Sequence, residues 1–141
     1  MSKFKLEFEP DYDFHLIAIS CHQKDFKLAW SISKGLDCSL EKIEDLEAPI
    51  DQKGSIYGSF TYYFCESDGG HYAYHLLANK SNEGLLAPEQ KQADFFFAIT
   101  GAHNRLDTAD ILQKIKAQSV VLTAYSIDPI SLKSKDKFIL E

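Results

Sequence analysis

The sequence predicts an α+β fold: a mainly antiparallel sheet of about five to six strands packed with two to three helices, as a single α+β domain over 1–141. Three observations lead there. "SIYGSFTYYFCESDGGHYAYHLLANK" has two aromatic, β-prone runs on either side of Asp68-Gly69-Gly70, and paired glycines supply the positive φ that tight hairpin turns need. "FFFAI", Phe95–Ile99, is apolar at successive positions, which marks a strand covered on both faces. Two stretches, following Ser20 and Asp107, carry apolar residues at helical spacing instead.

Taken in order, "KFKLEFE" places Phe4, Leu6 and Phe8 opposite Lys3, Lys5, Glu7 and Glu9, the period-two alternation of a half-buried strand. "DFHLIAIS" is apolar nearly all round, so periodicity leaves a buried strand and a buried helix both open. A helix capped by Asp13 is slightly favoured. Next, "SCHQ" offers Ser20 as N-cap with Gln23 at the capping-box position. Phe26, Ala29, Trp30 and Ser33 then share one helical face, with Leu28, Ile32 and Leu36 beside it, and Gly35 is placed to end the helix.

A short acidic strand is expected over Lys42–Ala48. In the hairpin, an Asp68-Gly69 loop would set Phe64 against Ala73, and a Gly69-Gly70 loop would set it against His75. Either register gathers Phe60, Tyr62, Phe64, His75 and Leu77 on one face and Tyr63, Cys65, Tyr72, Tyr74 and Leu76 on the other. After the Ala93–Thr100 strand comes a helix capped by Asp107 or Thr108, with Ile111, Leu112 and Ile115 inward, and then the strand "SVVLTAYSI". A strand, helix and strand of this length suggest a right-handed crossover. Residues 129–141 read as a polar, peripheral tail with a short edge strand.

Composition narrows the function. The chain has 141 residues and a net charge of −6. Residues 1–70 carry seven basic and thirteen acidic side chains, which accounts for the whole imbalance. The acid cluster at Glu41, Glu44, Asp45, Glu47 and Asp51 would repel phosphate backbones, so no nucleic-acid partner is expected. No apolar run approaches a membrane span, and the N-terminus lacks the apolar core of a signal peptide. Three widely spaced cysteines, Cys21, Cys38 and Cys65, suit free thiols in a cytoplasmic protein.

Chemistry-bearing clusters are sparse. His71 and His75 would stand about 13 Å apart along a strand, with Cys65 on the opposite face, so no metal and no cofactor are expected. Cys21-His22 would point apart on a helix. His103-Asn104-Arg105 follows a central strand but lacks a phosphate-loop pattern. Glu89 and Asp94 could approach across a polar turn as an acid–base pair. They are better read as structural: Glu89 capping the turn after Pro88, and Asp94 bonding backbone amides where the strand begins.

"APEQKQADF" keeps a proline, a glutamate and an aspartate at fixed spacing, as Ala87-Pro88-Glu89, three residues, then Ala93-Asp94-Phe95. It resembles the signature of the bacterial IPExxxVDY family, with Ala87, Ala93 and Phe95 in place of Ile, Val and Tyr. "KDFKLAW" (24–30), "YSIDP" (125–129) and "SLKSKDKFIL" (131–140) are similar to that family as well. The resemblance implies an uncharacterised protein with no assigned catalytic residue, so Pro88, Glu89, Asp94 and Phe95 carry over as signature positions only. The functional expectation is a non-catalytic binding or adaptor module for a protein partner or a homodimer. The tyrosine-rich hairpin, with Tyr63, Tyr72 and Tyr74, would be its surface. The alternative is a small-molecule-binding protein or enzyme with a pocket under that hairpin, using His71, His75 or Cys65.

Overall fold

Each face of the sheet is apolar, and each has its own cover. The computed structural model describes residues 12–51 and 53–140; the alternating strand expected at Lys3–Glu9 lies outside them. Among the described residues the strands are β1 (His15–Ser20), β2 (Glu41–Pro49), β3 (Tyr57–Glu66), β4 (Tyr72–Ala78), β5 (Phe95–Gly101) and β6 (Thr123–Ile127). The helices are α1 (Asp25–Leu36) and α2 (Thr108–Lys116). The sheet order is β2-β3-β4-β5-β1-β6 with every neighbouring pair antiparallel. This is the expected α+β architecture.

Residues 15–20 form a strand and not the favoured helix. Ile17 and Ile19 enter one core, and Leu16 and Ala18 enter the other. A strand between β5 and β6 buries all four, whereas a helix would present part of this run to water. The same placement removes the anticipated cap of α1. Ser20 ends β1 and donates its hydroxyl to the Gln92 carbonyl at 2.9 Å, so α1 begins at Asp25 behind Lys24, without a side-chain cap.

The inward face of α1 is Leu28, Ala29 and Ile32, while Phe26 and Trp30 are exposed. The helix also runs through Gly35 and ends at Asp37, whose φ of 54° is left-handed. Gly35 serves a close approach: a Cβ there would come 2.5 Å from the Gln118 side chain, just beyond α2.

The β3–β4 hairpin takes the Gly69-Gly70 register, with Phe64 opposite His75, and both glycines have positive φ. The first core joins Tyr63, Tyr74, Leu76, Phe95, Phe97 and Ile99 to both helices. α2 is capped by Asp107, whose carboxylate accepts from the Asp110 amide at 3.0 Å, with Ile111 and Ile115 buried. It links β5 to β6 across β1, which makes those two strands parallel to each other.

The second core contains Phe60, Tyr62, Leu77, Phe96 and Ala98 and, among the described residues, has no α-helix over it. Leu86, Ala87 and Ala93 from the signature segment cover it, together with Leu132 and Phe138. The C-terminal segment is therefore not a polar outlier. It forms two short turns, Pro129–Ser131 and Lys135–Phe138, and no strand. Phe138 is fully buried, edge-on to Phe96 at 5.1 Å between ring centroids.

Candidate functional site

The signature segment is where the chain's parts are tied together. Pro88 opens a single turn, Pro88–Gln90. Glu89 reaches across to the C-terminal segment, accepting from the Ser134 amide at 2.7 Å and the Ser134 hydroxyl at 2.9 Å. Burial works to raise the Glu89 pKa. Backbone amides, Ser134 and the nearby Lys137 outweigh it and hold the carboxyl below its ordinary value. Asp94 acts on the opposite end of the segment: one oxygen accepts from the Cys21 amide at 2.9 Å, the other from Lys80 Nζ at 2.6 Å. The two carboxylates thus bind different parts of the chain and do not form an acid–base pair. Phe95 packs into the first core.

The residue that organises this segment was not singled out from the sequence. Asn79 follows β4 and is fully buried. Its Nδ2 donates to the Gln90 carbonyl at 3.0 Å and the Ala93 carbonyl at 2.9 Å, and its Oδ1 accepts from the Ala87 amide at 2.8 Å. Its backbone amide donates to the Asp94 carbonyl, and its carbonyl accepts from the Leu86 amide. A buried loop must satisfy its backbone groups internally, and one asparagine does much of this. The signal was one of two asparagines, Asn79 and Asn82, inside "LLANKSNEGLL".

Tyr63, Tyr72 and Tyr74 are not a free surface, whereas Tyr57 at the start of β3 is exposed. Tyr63 and Tyr74 are buried in the first core, and Tyr72 packs against it with its ring 5.5 Å from that of Tyr74. The helices cover that hairpin face, and the signature and C-terminal segments cover the other, so no second subunit is needed to shield either. The Tyr63 hydroxyl donates to Asp25 at 2.7 Å. Burial and then Asp25 push its pKa up to about 12.

His75 is the one hairpin group with the geometry of a catalytic base. Its Nδ1 lies 2.6 Å from the Tyr62 hydroxyl and its Nε2 lies 2.8 Å from Thr100 Oγ1. That resembles a nucleophile, base and orienting group in a row. The direction of both bonds turns on the ring tautomer. With the proton on Nε2, Nδ1 accepts from the Tyr62 hydroxyl and Nε2 donates to Thr100; with the proton on Nδ1, both bonds reverse. In either tautomer His75 ties β3, β4 and β5 together across the sheet.

Burial lowers the His75 pKa to about 4. The unfolded chain protonates near pH 6.5, and the folded imidazole only near pH 4. Between those values the unfolded state holds more protons, so stability falls as pH falls, by on the order of 3 kcal/mol in total. Urea denaturation from pH 7 to pH 4 should show this slope, and His75→Gln should flatten it. An unchanged slope in the variant would rule His75 out as its source.

The cysteines are free thiols. Cys38 lies within hydrogen-bonding reach of Cys65 and Ser33, and burial, then Cys65, pushes its pKa up to about 12. Burial also raises that of Cys21, which precedes α1 and is no part of it. Neither is a thiolate nucleophile at neutral pH. His71 stands exposed at the hairpin turn, away from the buried His75. His103 bonds Asp13 at 2.9 Å. Among the described residues, no three His, Cys, Asp or Glu side chains converge to hold a metal, and no helix is long and apolar enough to cross a membrane.

Phe26 and Trp30, 55% and 63% exposed, lie one turn apart on the outer side of α1. They border an open cleft of ≈ 810 Å³ whose lining includes Ala29, Leu40, Tyr63 and Val120. Lys27 lies beside it, and Lys34 Nζ stands 4.5 Å from the centre of the Trp30 ring. Of the two adjoining apolar faces of α1, the one with Phe26 and Trp30 turns out to water. No family model, curated protein or solved structure matches the chain.

Proposed function

We propose that this chain is a non-catalytic protein-interaction module whose contact surface is the outer face of α1. One observation carries the reading: two large aromatic side chains stand in water beside a preformed apolar cleft. Exposed single apolar residues are ordinary, but paired aromatics at a concavity mark the anchors of protein interfaces. In the hairpin, Tyr63 and Tyr74 are buried and Tyr72 packs against Tyr74, which leaves these three little surface to offer a partner. A cytoplasmic location belongs to the same proposal and is supported by three free thiols. So does kinship with the IPExxxVDY family, supported by Pro88, Glu89 and Asp94 at the signature spacing.

The test separates binding from folding. Phe26→Ala with Trp30→Ala changes exposed positions, so stability should move by no more than about 1 kcal/mol for the pair. A photo-crosslinker placed at position 26 in cells should capture one reproducible protein, with a crosslinker at Lys116 as control. The affinity of that purified protein should fall by about thirtyfold or more in the double variant. Undiminished affinity would refute this surface, as would a double variant that loses its fold.

A further inference from the structure

Resting on the reading of the α1 cleft as a contact surface, we infer that its occupant is an acidic amphipathic segment of another protein. Apolar side chains of that segment would seat between Phe26 and Trp30, and its carboxylates would meet the lysines around them.

The first half of the chain is strongly acidic, yet the exposed positions of α1 and its N-cap include Lys24, Lys27 and Lys34. Among the described residues none of these three is in an ion pair, whereas Lys80 and Lys114 are. The nearest acid on the helix, Asp25, accepts the Tyr63 hydroxyl and is turned to the sheet. Asp37 marks the far end of α1. Phe26, Trp30 and Lys34 form one row at four-residue spacing, and Lys27 stands three positions before Trp30. An apolar stripe edged by unpaired cations is the complement of an amphipathic helix edged by carboxylates.

A second copy of the chain is a poorer occupant. Two α1 faces brought together by a two-fold axis would oppose lysine to lysine. The cleft lining adds hydroxyls, Ser31, Ser39 and Ser119, which can bond carboxylates at the rim.

Trp30 is the chain's sole tryptophan, so its emission reports this cleft alone. A library of displayed helical peptides, random at its exposed positions, can be selected on the full chain. The enriched peptides should be net acidic, with apolar residues three and four apart, and should shift Trp30 emission. Their affinity should fall about tenfold in Lys27→Glu with Lys34→Glu, and fall with added salt.

Peptides that need Phe26 and Trp30 but show no acidic bias would overturn the occupant and leave the contact surface standing. Peptides indifferent to Trp30→Ala would overturn both. A selection yielding no binder overturns the occupant. So does a Trp30-dependent dimer in sedimentation equilibrium, or a Trp30 shift on anionic phosphatidylglycerol vesicles without one on the peptides.

Discussion

Asn79→Ala is expected to lower the stability of the fold by about 3–5 kcal/mol. Its side chain makes three hydrogen bonds to the backbone of the signature segment, and the residue is fully buried. Removing it leaves the Ala87 amide and the Ala93 carbonyl without partners beneath a covering layer, at about 1–3 kcal/mol per stranded group. Water cannot readily replace the amide, because Leu86, Ala87 and Ala93 are themselves fully buried around it. In a domain of this size the loss corresponds to a drop in Tm on the order of 10 °C or more. Asn79→Asp keeps the shape but loses both donors, and it should be similarly damaging at neutral pH. Hydrogen exchange should show early loss of protection over residues 86–94. A Tm within a degree or two of the parent would mean that the segment is held by its termini alone.

Phe138→Ala is the second large effect, expected at about 3–5 kcal/mol as a buried aromatic truncation. The ring is inaccessible to solvent and packs edge-on to Phe96, so the loss includes an aromatic contact as well as the area. Glu89 and Lys137 hold the backbone around the gap, through Ser134 and the Leu86 carbonyl, which limits collapse into it. Ile130, 65% exposed in the same segment, is the control: Ile130→Ala should change stability by less than about 0.5 kcal/mol. Chemical denaturation of the two variants decides the matter. Equal, small effects would return the segment to the periphery.

The sheet was legible wherever a local pattern had only one physical solution. Phe95–Ile99 can bury alternate side chains in two directions only as a covered strand, and it does. The two glycines narrowed the hairpin to two registers, one of which is present. Asp107 capped α2 because a side-chain acceptor beside free amides needs no tertiary information.

The misreadings share one cause. Whether 14–19 is strand or helix depends on what covers its second face. That cover comes from residues 86–93 and 132–138, which look polar or irregular in sequence. On α1, two faces about 100° apart both carry apolar residues, and periodicity does not choose between them. The core selected Leu28, Ala29 and Ile32. That choice depends on the shape left between β3 and α2, which no window of residues contains. The candidate surface was therefore the least readable part; in the signature segment Asp94 bonds a backbone amide, whereas Glu89 reaches Ser134 and does not cap its own turn.

The position of β1 bears on how the chain reaches this state. β2, β3, β4 and β5 follow one another in the sheet as in the sequence, so each closes only a local loop on its predecessor. β1 instead pairs Ile17 with Phe97 on one side and with Ser126 on the other. Closing such distant contacts costs chain entropy before any contact is gained. The four-strand meander can nucleate from its hairpins, while β1 has to wait for β5, and β6 has β1 as its neighbour. Topology of this kind slows folding at a given stability. Refolding should therefore be limited by the insertion of β1, with substitutions at Leu76 or Phe97 acting on an earlier phase than those at Ile17 or Ala124. A strand that comes early in the chain is among the last to be installed.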